Sequence, residues 1–177
     1  MIKSNKEKGF SLIELLIVVA IILIIAAIAI PNLLRSRMAA NEASAVGSVR
    51  TINTAAITFN STYADGFPSA LSEIGTTGTG AVSCQNAQLV DSLLTTGTKS
   101  GYNFAMAAGS TVVTTVPTGC TAGYSDGYGV TAVPITVGTT GQRGFCSDAT
   151  GVIRYNAAGT AGYTAPNCDN AQSPIGQ

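Results

Sequence analysis

From Phe10 to Ile30 the chain reads FSLIELLIVVAIILIIAAIAI, 21 residues of which all but one are apolar or a small hydroxyl. A helix rises about 1.5 Å per residue, so this run matches a bilayer hydrocarbon core of about 30 Å. Such a run cannot lie on the surface of a domain in water. It crosses a membrane, is discarded as a signal, or is buried among copies of itself. The exception is Glu14. A carboxylate deep in a membrane helix costs about 2.5–3.5 kcal/mol on insertion scales, and such residues usually have a partner.

Charge gives the run a direction. Lys3, Lys6 and Lys8 precede it against Glu7 alone. The positive-inside rule keeps that end in the cytoplasm and exports everything after Pro31. Three fates compete: a permanent single-pass anchor, a secretory signal peptide cut at the A-x-A-like Ala27-Ile28-Ala29, and a segment that spans the membrane first and later packs among its own copies. The first two have no use for Glu14. The third does, where assembly supplies a positive charge.

The stretch KGFSLIELLIVVAIILIIAAIAIP resembles the N-terminal signature of type IV prepilins and the related pseudopilins. The resemblance covers roughly the first 50 residues. It implies a leader of nine residues ending at Gly9, cleavage between Gly9 and Phe10 by a prepilin peptidase, and N-methylation of Phe10. It also implies assembly roles for Glu14, the fifth mature residue, and for Pro31, where many members carry a helix-bending Pro. The new amine on Phe10 would have a pKa near 8 and be protonated at neutral pH. In the family that amine approaches the Glu of a subunit already in the filament. Pairing offsets part of the cost of a buried carboxylate only in correct register, so Glu14 would act as a registration device. Gly9 suits a protease that draws extended backbone into its cleft, because it presents no side chain.

Residues 31–61 read as a continuation of the helix, with a bend or local melting near Pro31 and not a stop. Ala45, Val49, Ile52, Ala56 and Phe59 recur at steps of four and three, an apolar stripe that docks on a head. Arg35, Arg37, Asn41, Glu42, Arg50 and Asn53 fall largely off the stripe. Beyond Tyr63 the composition turns to Gly, Thr, Ser and Ala. SALSEIG and NAQLVDSLLTTG read as short helical pieces. Strand-like runs occur at 102–108, 111–116, 128–137, 143–148 and 151–156, with DATG as a turn that places Gly151 at positive φ. The C-terminal NCDNAQSPIGQ reads as irregular. The expected fold is α+β: a long N-terminal helix, membrane-spanning in its first half, packed on a small antiparallel sheet. The expected divisions are 1–9 leader, 10–30 assembly helix, 31–62 amphipathic half and 63–177 head.

Four cysteines, Cys84, Cys120, Cys146 and Cys168, all fall in the exported part. An even count there reads as two disulfides in an oxidising compartment. Three pairings are possible. Cys84–Cys120 with Cys146–Cys168 is favoured, because the first two sit in connectors and Cys168 is the one anchor for the C-terminal tail. Chemistry is poorly provided for. There is no His, no C-x-x-C, and charged residues make up 10% with zero net charge. That argues against zinc, acid–base catalysis and a basic nucleic-acid surface. Lys99-Ser100 reads as solvated, Asp126, Asp148 and Asp169 form no compact calcium loop, and Phe10, Phe59, Tyr63 and Phe67 read as packing residues, not an electron path. No enzyme activity, cofactor, metal or nucleic acid is expected.

The resemblance implies a filament subunit whose partners are its own copies, the peptidase, the pilus assembly machinery and the inner membrane. It would end in an extracellular pilus. A type II secretion pseudopilin, working as a periplasmic pseudopilus, is the alternative, and a secreted binding protein with a conventional signal peptide is the reading of another class. Gly9→Val is expected to leave an uncut precursor in the membrane, since a β-branched side chain resists the extended fit. Mass analysis of the membrane fraction checks it; a chain starting at Phe10 in that variant would disprove the leader assignment.

Overall fold

The computed structural model describes residues 9–63, 66–76, 80–109, 120, 124–160, 163–164, 167–168 and 173–175. The chain divides into two compact units, Met1–Ser36 and Arg37–Gln177. Helix α1 (Leu12–Tyr63) contributes to both. The second unit takes in the later part of the helix, whose residues between Glu42 and Phe59 contribute to the head's core. Helical structure passes through Pro31 without local melting.

In the second unit, Ala45, Val49, Ile52, Ala56 and Phe59 are fully buried, as their spacing requires. They meet a six-stranded antiparallel sheet of order β1-β2-β3-β4-β5-β8: β1 (Thr98–Lys99), β2 (Tyr102–Ala108), β3 (Tyr128–Pro134), β4 (Gly144–Asp148), β5 (Arg154–Asn156) and β8 (Ser173–Pro174). Strands β6 (Tyr163–Thr164) and β7 (Asn167–Cys168) form a separate ribbon. The architecture is therefore α+β, a long helix on an antiparallel sheet. The chain has few aromatics, but the described core concentrates them: Tyr102, Tyr124, Tyr128, Phe59 and Phe145 are its largest fully buried side chains. Phe59 packs on Tyr124 with ring centroids 5.3 Å apart.

Several elements differ from the sequence reading. Strand β3 stops at Pro134, three residues short of the run's end; Pro134 has no N–H to donate, and one last bond toward β2 follows it, from the Ile135 N–H to the Gly101 carbonyl at 3.0 Å. Beyond it Val137 closes a tight loop onto Gly141. The NAQLVDSLLTTG piece is helical only at α3 (Ser92–Thr95), where the Asp91 side chain caps it by accepting from the Leu94 N–H at 2.8 Å. SALSEIG contributes α2 (Leu71–Ile74). The tail is less irregular than expected. Ser173–Pro174 pairs along β5, and the Ile175 N–H donates to the Ile153 carbonyl at 3.0 Å. Pro174 is tolerated there because β8 is the edge strand. The DATG turn forms as read, with Gly151 at φ 73° and its N–H on the Asp148 carbonyl. The run at 111–116 lies outside the described residues.

The stripe gives two mutational expectations. Ile52→Ala is expected to cost about 2–5 kcal/mol of head stability by leaving a cavity. Ile57→Ala, five residues on but 55% exposed, is expected to change stability by less than about 0.5 kcal/mol. Chemical denaturation of the two variants checks the contrast; equal losses would mean the stripe is misplaced.

Candidate functional site

The apolar N-terminal segment begins as non-helical chain. Gly9 has open space around its Cα, and Phe10 is 85% exposed. The helix starts at Leu12 with Ser11 at the cap position. The Ser11 N–H donates to Glu14 Oε2 at 3.0 Å, and the Leu15 N–H donates to the Ser11 carbonyl at 3.2 Å. This is one arm of a capping box: a Glu at the third helical position reaches back to the orphan N–H of the cap. A carboxylate in the first turn is also favoured by the helix dipole. The S-x-x-E spacing of Ser11-Leu12-Ile13-Glu14 carried this signal, which the sequence reading missed. The premise that a lone chain has no use for Glu14 is thereby corrected, because the carboxylate holds its own helix start.

Every Leu, Ile and Val from Leu12 to Leu34 is exposed, between 46% at Val19 and 77% at Leu12. Exposed apolar patches of soluble monomers rarely exceed a few hundred Å². This surface runs along the helix and round all its sides. Among the described residues α1 is the one helix long and apolar enough to cross a membrane. Gly9, Phe10 and Glu14 lie together at its start. Pro31 stands about 25 Å further along the axis.

In the head, the disulfides join Cys84 to Cys120 and Cys146 to Cys168, with Cα–Cα distances of 5.6 and 5.7 Å. Cys146 is in β4 and Cys168 in β7, so the second bond ties the two-stranded ribbon to the sheet. The remaining chemical candidates are occupied. The Lys99 ammonium pairs with Asp91 at 2.7 Å, and the Ser100 hydroxyl accepts from Ser44 at 2.9 Å. Asp148 accepts from its own turn at the Thr150 N–H, 2.9 Å. Among the described residues no three His, Cys, Asp or Glu side chains cluster as metal ligands; Asp169 lies outside them. Phe59, Tyr63 and Phe67 pack on aromatic neighbours.

The sequence reading also missed buried polar residues on α1. Glu42 and Asn53, which the sequence places off the apolar stripe, are buried. Glu42 Oε1 accepts from the Gln142 and Arg143 N–H groups at 2.9 and 3.1 Å, and Oε2 takes the Arg143 guanidinium at 2.7 and 2.8 Å. Asn41 donates to the Thr140 carbonyl at 2.8 Å. Arg143 lies over the rings of Phe145 and Tyr155, 5.7 and 5.3 Å from their centroids. Burial pushes the Glu42 carboxyl up, but the hydrogen bonds from Gln142 and Arg143 outweigh it and hold it below its ordinary value. Asn53 donates to the Ser147 hydroxyl at 2.8 Å and accepts from the Tyr128 hydroxyl at 3.3 Å. Burial, with a contribution from Asp148, pushes that phenol up to about 12.

Two comparisons bear on this arrangement. Residues 4–30 match the family model described as the prokaryotic N-terminal methylation motif. The chain is also 63% identical over 38 residues to the type IV wide pilus major component PilA4 of Thermus thermophilus. The match takes in 22% of this chain and spans 29% of that protein's length. No solved structure matches.

The Glu42 cluster has a defined pH dependence. A carboxyl whose folded pKa is lowered stabilises the fold above its unfolded value of about 4.5, and that contribution fades as pH falls through the folded value. Glu42→Gln is expected to cost about 1–2 kcal/mol at neutral pH, at the low end for charged hydrogen bonds because the Arg143 side chain is 44% exposed. Denaturant midpoints of wild type and variant are expected to converge as pH falls from 4.5 through the lowered folded value. A gap that persists there would mean the carboxylate charge is not the cause.

Proposed function

Starting from an N-terminal segment of type IV prepilin type, we propose that this chain is a structural subunit of a type IV pilus, cut between Gly9 and Phe10, methylated on the new amine and polymerised through α1. The observation that carries the reading is the wholly exposed apolar length of α1, led by the Gly9-Phe10 junction and Glu14. The similarity to a pilus component supports a filament subunit; a pseudopilin shares the same N-terminal signature and is the second reading. The subunit waits in the inner membrane with its head outside. It then leaves lipid for neighbouring helices, and the head, stapled by two disulfides, reaches the exterior.

Each residue has a role in that sequence. Lys3, Lys6 and Lys8 hold the leader on the cytoplasmic side until cleavage removes them. Gly9 stands in open, non-helical chain, the form a protease cleft takes. Cleavage exposes a basic amine on Phe10, four residues ahead of Glu14. Glu14 Oε2 is engaged by the Ser11 N–H, and a carboxylate has further acceptor sites for an incoming amine. The intrachain bond sets the carboxylate's direction, and the neighbour's amine reads it. Pro31 lacks the N–H that would close one turn, which leaves a carbonyl for the neighbouring helix or water to satisfy.

Two substitutions separate these roles. Glu14→Ala removes both the charge and the cap. Glu14→Gln keeps an acceptor for the Ser11 N–H and removes the charge alone. Both are expected to insert normally, and both to lower sheared-filament yield by about tenfold or more, the equivalent of about 1.4 kcal/mol of lost pairing per subunit. Electron microscopy of cells with and without the gene establishes that the filament is this protein. Wild-type yield from Glu14→Gln would contradict charge registration and leave capping as the function of Glu14.

A further inference from the structure

The apolar surface does not end at Ile30. Leu33 and Leu34 are 69% and 50% exposed, and the next exposed side chains include Arg35 and Arg37. Between Glu14 and Arg35 lie twenty residues, Leu15–Leu34, without a charge. As helix they rise about 30 Å, the thickness of the hydrocarbon core. Setting the core at Phe10–Ile30 would place Glu14 inside it and strand Leu33 and Leu34 in water. Setting it at Leu15–Leu34 puts Glu14 at one interface and the two arginines at the other. The cost of burying the carboxylate then falls.

We propose that Arg35 and Arg37 bind lipid phosphates in the leaflet on the head side, and that together with Glu14 they fix the bilayer span of the waiting subunit at Leu15–Leu34. This rests on the membrane-resident precursor of the preceding reading. Among the described residues neither arginine forms an ion pair. Two positions apart on a helix is about 200° around its axis, so the pair projects to opposite sides. Opposed cations cannot both face one partner helix, whereas a leaflet offers phosphates all round. A guanidinium fork matches phosphate oxygens, and its apolar stem lies along the acyl region while the head reaches out. Cleavage after Gly9 strengthens the case. It removes Lys3, Lys6 and Lys8, so the first forty residues retain as cations only the Phe10 amine, Arg35 and Arg37. After processing, these arginines are the side-chain cations left beside the span to hold its depth.

The test uses the mature full-length chain in bilayers of phosphatidylcholine and phosphatidylglycerol, with arginine labelled with carbon-13 at Cζ. Carbon–phosphorus dipolar dephasing is expected for Arg35 and Arg37 and absent for Arg50, Arg143 and Arg154. It is expected to vanish in the Arg35→Gln/Arg37→Gln double variant. No dephasing, or dephasing that survives the double variant, would overturn the proposal. An added cysteine reports depth, since the four native ones are paired. Toward an impermeant maleimide, Ser36→Cys should react, while Leu33→Cys and Leu23→Cys should be protected. Reaction at Leu33→Cys but not Leu23→Cys would overturn the span and leave the membrane-resident subunit standing. Reaction at both would remove the membrane-resident subunit as well.

Discussion

The apolar length of α1 from Leu12 to Leu34 has to be covered, and its sides are all alike. Such a helix has no preferred face. Lipid tails are as apolar as leucine, so exchanging lipid for neighbouring helices changes little in hydrophobic energy. The exchange is therefore easy, and the same feature leaves it undirected. In the proposed assembly, direction comes from the few polar groups at the ends of the span: Glu14 with its Ser11 cap at one end, Arg35 and Arg37 at the other. Packing between helices can then fill in without specifying register.

The head solves a similar problem by other means. The stripe of Ala45, Val49, Ile52, Ala56 and Phe59 supplies adhesion, but apolar contacts are non-directional. A slip of one turn would meet another apolar surface. Glu42 and Asn53 forbid it, because their partners Gln142, Arg143, Ser147 and Tyr128 are single groups at fixed places. Moving the helix would leave a buried carboxylate and amide unpaired, at about 1–3 kcal/mol each or more. The two disulfides add restraint on the unfolded chain, which suits a head with short strands and a small core.

Composition and period made the span and the docking stripe legible, because both follow from the placement of apolar residues along one helix. Strand β2 was legible to the residue, and the Gly151 turn was readable from local chemistry. What was not legible depends on distance or on double meaning. Glu42 and Asn53 look like surface letters until partners 75 to 101 residues away are known. Glu14 stands out as a charge in an apolar run, and that prominence hides its local role as a capping residue. The end of β3 at Pro134 was marked by the proline itself, which a continuous β-branched run disguised.

The central claim is that one helix first serves as a membrane span and then as a filament core, and the N-terminus of the chain in each place tests it most directly. Mass spectrometry of the N-terminal peptide, from the inner membrane and from sheared surface material, is expected to show methylated Phe10 in both fractions. A mature chain beginning at Ile30, as a signal peptidase cut after Ala29 would leave it, would contradict the account.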